Sequence, residues 1–488
     1  MMLSYEKMDW IMDRRRITTC LLVGCLALAA GCSARPERFR HGEGEAEQAA
    51  KKNAEERSIP KLAPLKFREG EVPVKELESQ GPTRSYRVGD VLVIQKRTTA
   101  NRVVAAKLYI VGGSANLTDD SAGIEQLAMK VAVTGGTEST PKDDFNRKLD
   151  STGSSVYSFN ERDDSGYGLK TLVSNFDETW DLFQQAVLEP AMPKDEVEIR
   201  RTKQLAQIAS MLEDPDSHVS YVAARRMFEN HPYYHLQVGT KKNVESFSRE
   251  ELLAYQRHML RPERMILVVV GDVPTKTLLD KVKKTFGRLA PSGASPGELP
   301  KFTSHPGAKI VDRKLPTNYV LGFFSAPSPG DPDYPALLVA TDYLRNRLFE
   351  EVRTKRNLTY AVSAGLSDKR ANYGYLYVTA TDPKKTMKVI FDQIAEMKLI
   401  EIPKADLDQT VNVFITHHFM DLETNGSQAS TLATAQITAG DWKQADGLLE
   451  KIRAVTPEDV QRVATKYIAN YRFGVVGQSA TKADFVPE

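Results

Sequence analysis

Several groups of residues in this sequence have types and spacings that could do chemistry. The first lies in Ser121–Glu138, SAGIEQLAMKVAVTGGTE. Ile124, Leu127, Ala128 and Val131 recur at i, i+3, i+4 and i+7, which predicts a short amphipathic helix. On a second face Gln126, Met129 and Lys130 stand three and four residues apart, close enough to converge on one point. Asp119, Asp120 and Ser121 supply capping types before the helix, and Gly135-Gly136 end it. The second group is Arg353 and Tyr360 in EEVRTKRNLTY. Guanidinium and phenol are donors suited to peptide carbonyls or to a developing oxyanion. The plainer alternative is that Arg353 caps a helix and Tyr360 packs in the core.

Two histidine pairs are weaker candidates. His231 and His235 stand at i, i+4, but Pro232 and two tyrosines between them point to a loop or helix edge with a structural or surface role. His417-His418, with Asp421 and Glu423, falls on a predicted helix and reads as a solvated face. Cysteine is confined to Cys20, Cys25 and Cys32. No cysteine beyond Cys32 is available as a nucleophile, and no Ser-His-acid order stands out.

The cysteines sit in a pattern of export. Arg14-Arg15-Arg16 precede the apolar run ITTCLLVGCLALAAG, a secretory signal too short and too near the N-terminus to be read first as a spanning helix. MDRRRITT, from Met12, makes a better signal opening than the residues before it. The run ends in Ala-Ala-Gly-Cys at Cys32, which resembles a bacterial lipobox. Leu22-Val23-Gly24-Cys25 fits that pattern locally but leaves too short an apolar stretch before it. Cys32 is the expected lipidated residue and Cys25 the alternative; an uncleaved anchor or a plain secretion signal is the simpler reading. Residues 1–32 are then a lipoprotein signal peptide. Residues 33–75, rich in Glu, Lys, Arg, Ala and Pro, form a flexible tether between membrane and folded body. The expected location is exported, lipid-anchored in a bacterial cell envelope, on the outer membrane or the periplasmic face.

Behind these residues stands a chain long enough for more than one domain. Its 488 residues are 41% hydrophobic and 27% charged, which excludes a polytopic membrane protein and a wholly disordered one. A formal net charge of +2, with no basic stripe, gives no reason to expect nucleic acid. Residues 76–290 alternate strand-like runs (VLVIQKR, VVAAKLYIV) with helical ones (FDETWDLFQQAVLEP, KDEVEIRRTKQLAQIASMLEDP), and ERMILVVVGDV reads as a buried closing strand. Residues 291–302, rich in Pro, Gly and Ser, form a linker. Residues 303–488 repeat the plan: NYVLGFFSAP and YGYLYVTATDP are strands, while YPALLVATDYLRNRLFEEVRTK, KKTMKVIFDQIAEMKL and TPEDVQRVATKYIAN are helices. A shared helix-helix-strand ending in both parts predicts an internal duplication, with a period too long for a solenoid.

The strand LYIVGGSANL, the helix after it and its Gly-Thr exit resemble the front of the insulinase/pitrilysin family of zinc peptidases. HPYYHLQVGTKKNVESFSREELLAYQRHMLRPERMILVVVGDV resembles the family's stretch closing the first half, and FEEVRTKRNLTYAVSAG its second-half signature. Together these cover nearly everything after Ser85. The implied fold is α+β: two homologous halves, each a mainly antiparallel sheet with helices on one face, enclosing a cavity. In the family the first helix carries His-x-x-Glu-His, in which two histidines grip zinc and the Glu activates a bound water. Those positions are occupied here by Gln126, Met129 and Lys130. The family's third ligand, a Glu on a later helix, corresponds to Gln207 in KQLAQI. All four are substituted by types unsuited to the task, so the resemblance implies a degenerate zinc site. Arg353 and Tyr360 match the family's substrate-holding pair. Some members divide this labour between two subunits, one with the zinc motif and the other with the Arg/Tyr pair. The chain therefore reads as a non-catalytic, zinc-less subunit with no cofactor of its own. It would pair with a zinc-bearing homologue around a peptide or unfolded polypeptide. The alternative is a peptide-binding or scaffold lipoprotein of the same fold with no proteolytic role.

Overall fold

The computed structural model describes residues 58–486. The expected signal peptide, all three cysteines and the expected tether up to residue 57 lie outside the described residues. From Ile59 onward the chain forms one unit built on two sheets.

The first sheet contains β1 (Val74–Gln80), β2 (Thr83–Val88), β3 (Val91–Lys96), β4 (Val103–Val111), β5 (Ser155–Asn160), β6 (Asp164–Leu172) and β7 (Met265–Val270), in the order β1-β2-β3-β7-β4-β6-β5. Its helices are α1 (Ile124–Ala132), α2 (Lys142–Ser151), α3 (Phe176–Leu188), α4 (Lys194–Glu213), α5 (Pro215–Met227), α6 (Lys241–Ser246), α7 (Arg249–Met259) and α8 (Thr275–Lys284). The second sheet contains β8 (Gly307–Asp312), β9 (Asn318–Ser325), β10 (Val362–Leu366), β11 (Tyr373–Ala380) and β12 (Arg472–Gly477), in the order β10-β11-β9-β12-β8. Its helices are α9 (Tyr334–Leu348), α10 (Pro383–Leu399), α11 (Lys404–Asp421), α12 (Asn425–Ala439), α13 (Gln444–Arg453) and α14 (Pro457–Tyr467).

The duplication is visible in the pairing. Read inward from β3 and from β8, the two sheets match strand for strand: one parallel pair (β3–β7 and β8–β12), then antiparallel pairs. β1 and β2 are an added hairpin at the outer edge of the first sheet. The closing helices α7 and α14 match as well. Each starts with a reciprocal capping box, Ser248 with Glu251 and Thr456 with Asp459.

The uninterrupted apolar run MILVVV of β7 shows that both faces of the first sheet are covered, since all six residues are buried. Met265, Leu267 and Val269 face the sheet's own helices, whereas Ile266, Val268 and Val270 pack with Ala429, Leu432 and Ala433 of α12 and with Trp442. The exchange is mutual: α5 lies across β12 and β9 of the second sheet. The approach is close enough to require glycine, because a Cβ on Gly474 of β12 would sit 2.4 Å from the backbone nitrogen of Ala223. Each sheet thus carries helices of its own half on one face and a single helix of the other half on the second. The sequence reading had helices on one face only. The proline ending LEDP also does more than stop α4: Pro215 opens α5, and the Asp214 side chain caps it by accepting from Ser217 N–H.

The linker is held along its length. The Glu263 carboxylate accepts the backbone N–H groups of Ser292 and Gly293. Arg370 donates to Gly297 O at 2.7 Å, and buried His231 bonds Pro300 O at 3.0 Å through Nε2. The last part of the stretch read as tether is packed too. Phe67 bridges to Leu289, Arg68 N–H donates to Arg288 O at 2.8 Å, and Val72 is buried in the first core. Apolar side chains at Ile59, Leu65 and Val72 anchor a segment whose composition is otherwise polar.

Candidate functional site

The helix predicted at Ser121–Glu138 is α1, Ile124–Ala132. Its N-cap is not one of the acidic or hydroxyl residues but Gly123, in left-handed conformation (φ 98°) with no side-chain cap. The reason is crowding. Gly239 passes over this point, and a Cβ on Gly123 would lie 2.9 Å from its Cα. Ser121 instead accepts from Thr118 N–H at 2.8 Å. The Gln204 side chain of α4 donates to the carbonyls of Gly123 and Val238, both at 2.9 Å, fixing the start of α1 against α4.

Packing of α1 on α4 brings two of the predicted positions together. The Gln126 amide Nε2 donates to Gln207 Oε1 at 3.0 Å, across 81 residues of sequence, and both side chains are half-buried. Met129 is turned away from them. It is fully buried, and Asn160 of β5 donates to its sulfur at 3.1 Å. Lys130 is exposed. Beneath the helix lies a carboxylate that the sequence reading passed over. Glu125 is 2% exposed and accepts from Ser165, from the Tyr255 hydroxyl at 2.9 Å and from Asn160. Burial raises its pKa above the usual carboxylate value, and these three donors oppose the shift. Its signal was an acidic residue on the arc between the apolar positions Ile124 and Ala128. The edge of the first sheet opposite the β1–β2 hairpin is β5, paired only with β6 and packed against α1.

The other predicted pair lies in the second half. After α9 the chain widens into one π-helical turn, Phe349–Thr354, and Asn357 then reverses it in left-handed conformation (φ 49°). Glu351 receives Lys355 at 2.7 Å and Arg356, so two of the segment's cations are neutralised locally. Arg353 is not neutralised. Its guanidinium lies 4.8 Å from the centre of the exposed Phe349 ring, and among the described residues no carboxylate pairs with it. Tyr360 is 88% exposed, so it does not pack in the core. Neither residue bonds to the Gln126–Gln207 pair. The histidine pairs are placed elsewhere: His231 is buried among Phe228, Tyr233 and Phe302, and His418 is half-buried and stacks on Phe414.

Two family models match the chain. One, described as Insulinase (Peptidase family M16), matches residues 92–240, and the other, Peptidase M16 inactive domain, matches residues 246–414. Together they take in more than half of the sequence. The chain belongs to the M16, or insulinase, peptidase family. A relative named an uncharacterized zinc protease, from Mycobacterium leprae, is 26% identical over 432 residues, covering 85% of this chain and 96% of that protein. A probable mitochondrial-processing peptidase subunit beta of Schizosaccharomyces pombe is 26% identical over 264 residues, covering 49% of this chain and 57% of that one. Among solved structures, a protease from Helicobacter pylori has the same fold, with a TM-score of 0.72 at 16% identity over 83% of this chain and 99% of that one.

The residues that the resemblance sets at the family's metal position do not fit zinc. Gln126 and Gln207 are uncharged amides bonded to each other, the Met129 thioether is buried and engaged, and Lys130 is a cation. Among the described residues no group of three or more His, Cys, Asp or Glu could hold a metal ion. What these residues offer is hydrogen bonding: amides at one place, guanidinium and phenol at the other.

Proposed function

We propose that this chain is a non-catalytic, zinc-less subunit of an M16 peptidase, pairing with a zinc-bearing homologous chain to form a peptide-degrading or processing metalloendopeptidase. Arg353 and Tyr360 hold the substrate backbone in the shared chamber, and the zinc belongs to the partner. The observation that carries the proposal is the state of these two side chains. A phenol 88% exposed and a guanidinium without a carboxylate are donors kept available at the surface, while the cations beside them are paired. Relatives named as subunits of processing peptidases support assembly with a second chain. The chain is further proposed to be exported and lipid-anchored through Cys32 in a bacterial envelope.

The test mixes this chain with its zinc-bearing partner and measures peptide hydrolysis that neither shows alone. Arg353→Ala and Tyr360→Phe should leave subunit affinity unchanged. Loss of one such donor from a water-excluded site costs on the order of 100- to 1,000-fold in rate. Near-normal turnover by both variants would reject the assignment and favour a scaffold lipoprotein without proteolytic role.

A further inference from the structure

The Gln126–Gln207 pair occupies the place of a metal and leaves a defined pattern of unmet hydrogen-bonding capacity. Gln126 Nε2 donates to Gln207 Oε1 at 3.0 Å. Neither Gln126 Oε1 nor Gln207 Nε2 has a partner among the described residues, and neither is a buried orphan. The pair therefore leaves one acceptor and one donor at a half-buried surface, on two helices fixed by the packing of α1 on α4. A carboxylate or phosphate would need donors at both points, and a cation would need acceptors at both. The group that matches is one residue of an extended peptide, whose own N–H and C=O point to the same side of the strand, the N–H toward Gln126 Oε1 and the C=O toward Gln207 Nε2. The support beneath is rigid: Gln204 pins the start of α1, and the buried Glu125–Ser165–Tyr255–Asn160 network holds its inner face.

We infer that this amide clasp binds the N–H and C=O of one residue of an extended peptide, without metal and without cleaving it. The inference rests on the reading of the chain as one wall of a peptide chamber and gives that wall a second contact, in the first half. With no metal-bound water, imidazole or free carboxylate at the clasp, the held residue is bound but not attacked.

The test uses the purified full-length protein alone in detergent, with no partner. Fluorescein-labelled oxidised insulin B chain is the probe, and binding is read by anisotropy with EDTA present. Saturable binding is expected, unchanged by EDTA and weakened about tenfold by Gln126→Leu or by Gln207→Leu. Gln207→Glu is the sharper variant. It keeps the acceptor for Gln126 Nε2, and with it the clasp, but replaces the outward donor, so the same loss is expected in a fold of unchanged stability. Unchanged affinity in Gln207→Glu, absence of binding by the wild-type chain, or binding that EDTA abolishes and zinc restores would each overturn the inference. Partner-dependent hydrolysis separates the two proposals. If it is missing while clasp binding stands, only the subunit reading falls; if it is present while the variants bind normally, only the clasp falls.

Discussion

Acidification should weaken this fold through His231, by an amount the structure sets. The ring is 3% exposed and lies against Phe302, Tyr233 and Phe228. Its Nδ1 accepts Tyr233 N–H at 3.1 Å, so the neutral ring carries its proton on Nε2 and donates it to Pro300 O at 3.0 Å. Protonation at Nδ1 would set two donors against each other beside Arg162, whose guanidinium lies over the Phe228 ring. Burial, with Arg162 adding to it, accordingly lowers the His231 pKa from 6.5 to about 4. Above pH 6.5 neither the folded nor the unfolded chain is protonated here, and the stabilisation is complete. Between 6.5 and about 4 the unfolded chain takes up a proton that the folded one refuses, so stability falls with falling pH, and it levels off below 4. At about 1.4 kcal/mol per unit the total comes to roughly 3 kcal/mol. The assay is urea unfolding of wild type and His231→Gln from pH 7 to pH 4. Groups titrating in both proteins, such as Asp164, which burial raises to about 8, cancel in the difference. The variant should lose about 1–2 kcal/mol at pH 7 and show a flatter profile, so that the two curves converge and then cross on acidification. Parallel profiles between pH 6.5 and 4 would refute the argument.

Trp442→Ala, at a site 1% exposed on the second face of the first sheet, should cost about 3–5 kcal/mol in urea unfolding; a loss below about 1 kcal/mol would mean that the exchanged element is not integral to the core. Metal analysis of protein prepared without chelators should find no stoichiometric zinc, and one tightly held ion per chain would contradict the fit judged at Gln126, Met129, Lys130 and Gln207. Cys32→Ala should release the protein from the membrane fraction, whereas release by Cys25→Ala alone would move the anchor to that residue.

What could be read from the sequence was what leaves a periodic or local trace. The β7 run announced a buried closing strand, and the helix-helix-strand ending shared by both parts marked a duplicated chain. Gln126 and Gln207 were found as positions through resemblance alone. Their bond was not, because a contact spanning 81 residues has no spacing signature. The start of α1 was misread because Asp119, Asp120 and Ser121 are good caps in isolation, whereas the close passage of Gly239 selects Gly123. The exchange of α5 and α12 was hidden for a related reason. VSYVAARRM and SQASTLATAQITA are helical in period, but nothing in them says which sheet they cover. Tyr360 shows the limit for side chains, since whether a tyrosine in a loop is core or surface depends on neighbours the sequence does not name.

The crossing of α5 and α12 bears on how the chain comes to be folded at all. When the first sheet has been synthesised, the face formed by Ile266, Val268 and Val270 still awaits Ala429, Leu432 and Trp442, more than 150 residues downstream. Each half buries a core of its own on one face of its sheet but leaves the other face open until the helix of the other half covers it. Cut at the linker, the two fragments would each carry an adhesive sheet face and the helix that its counterpart lacks, and they should reassemble on mixing into a non-covalent copy of the whole.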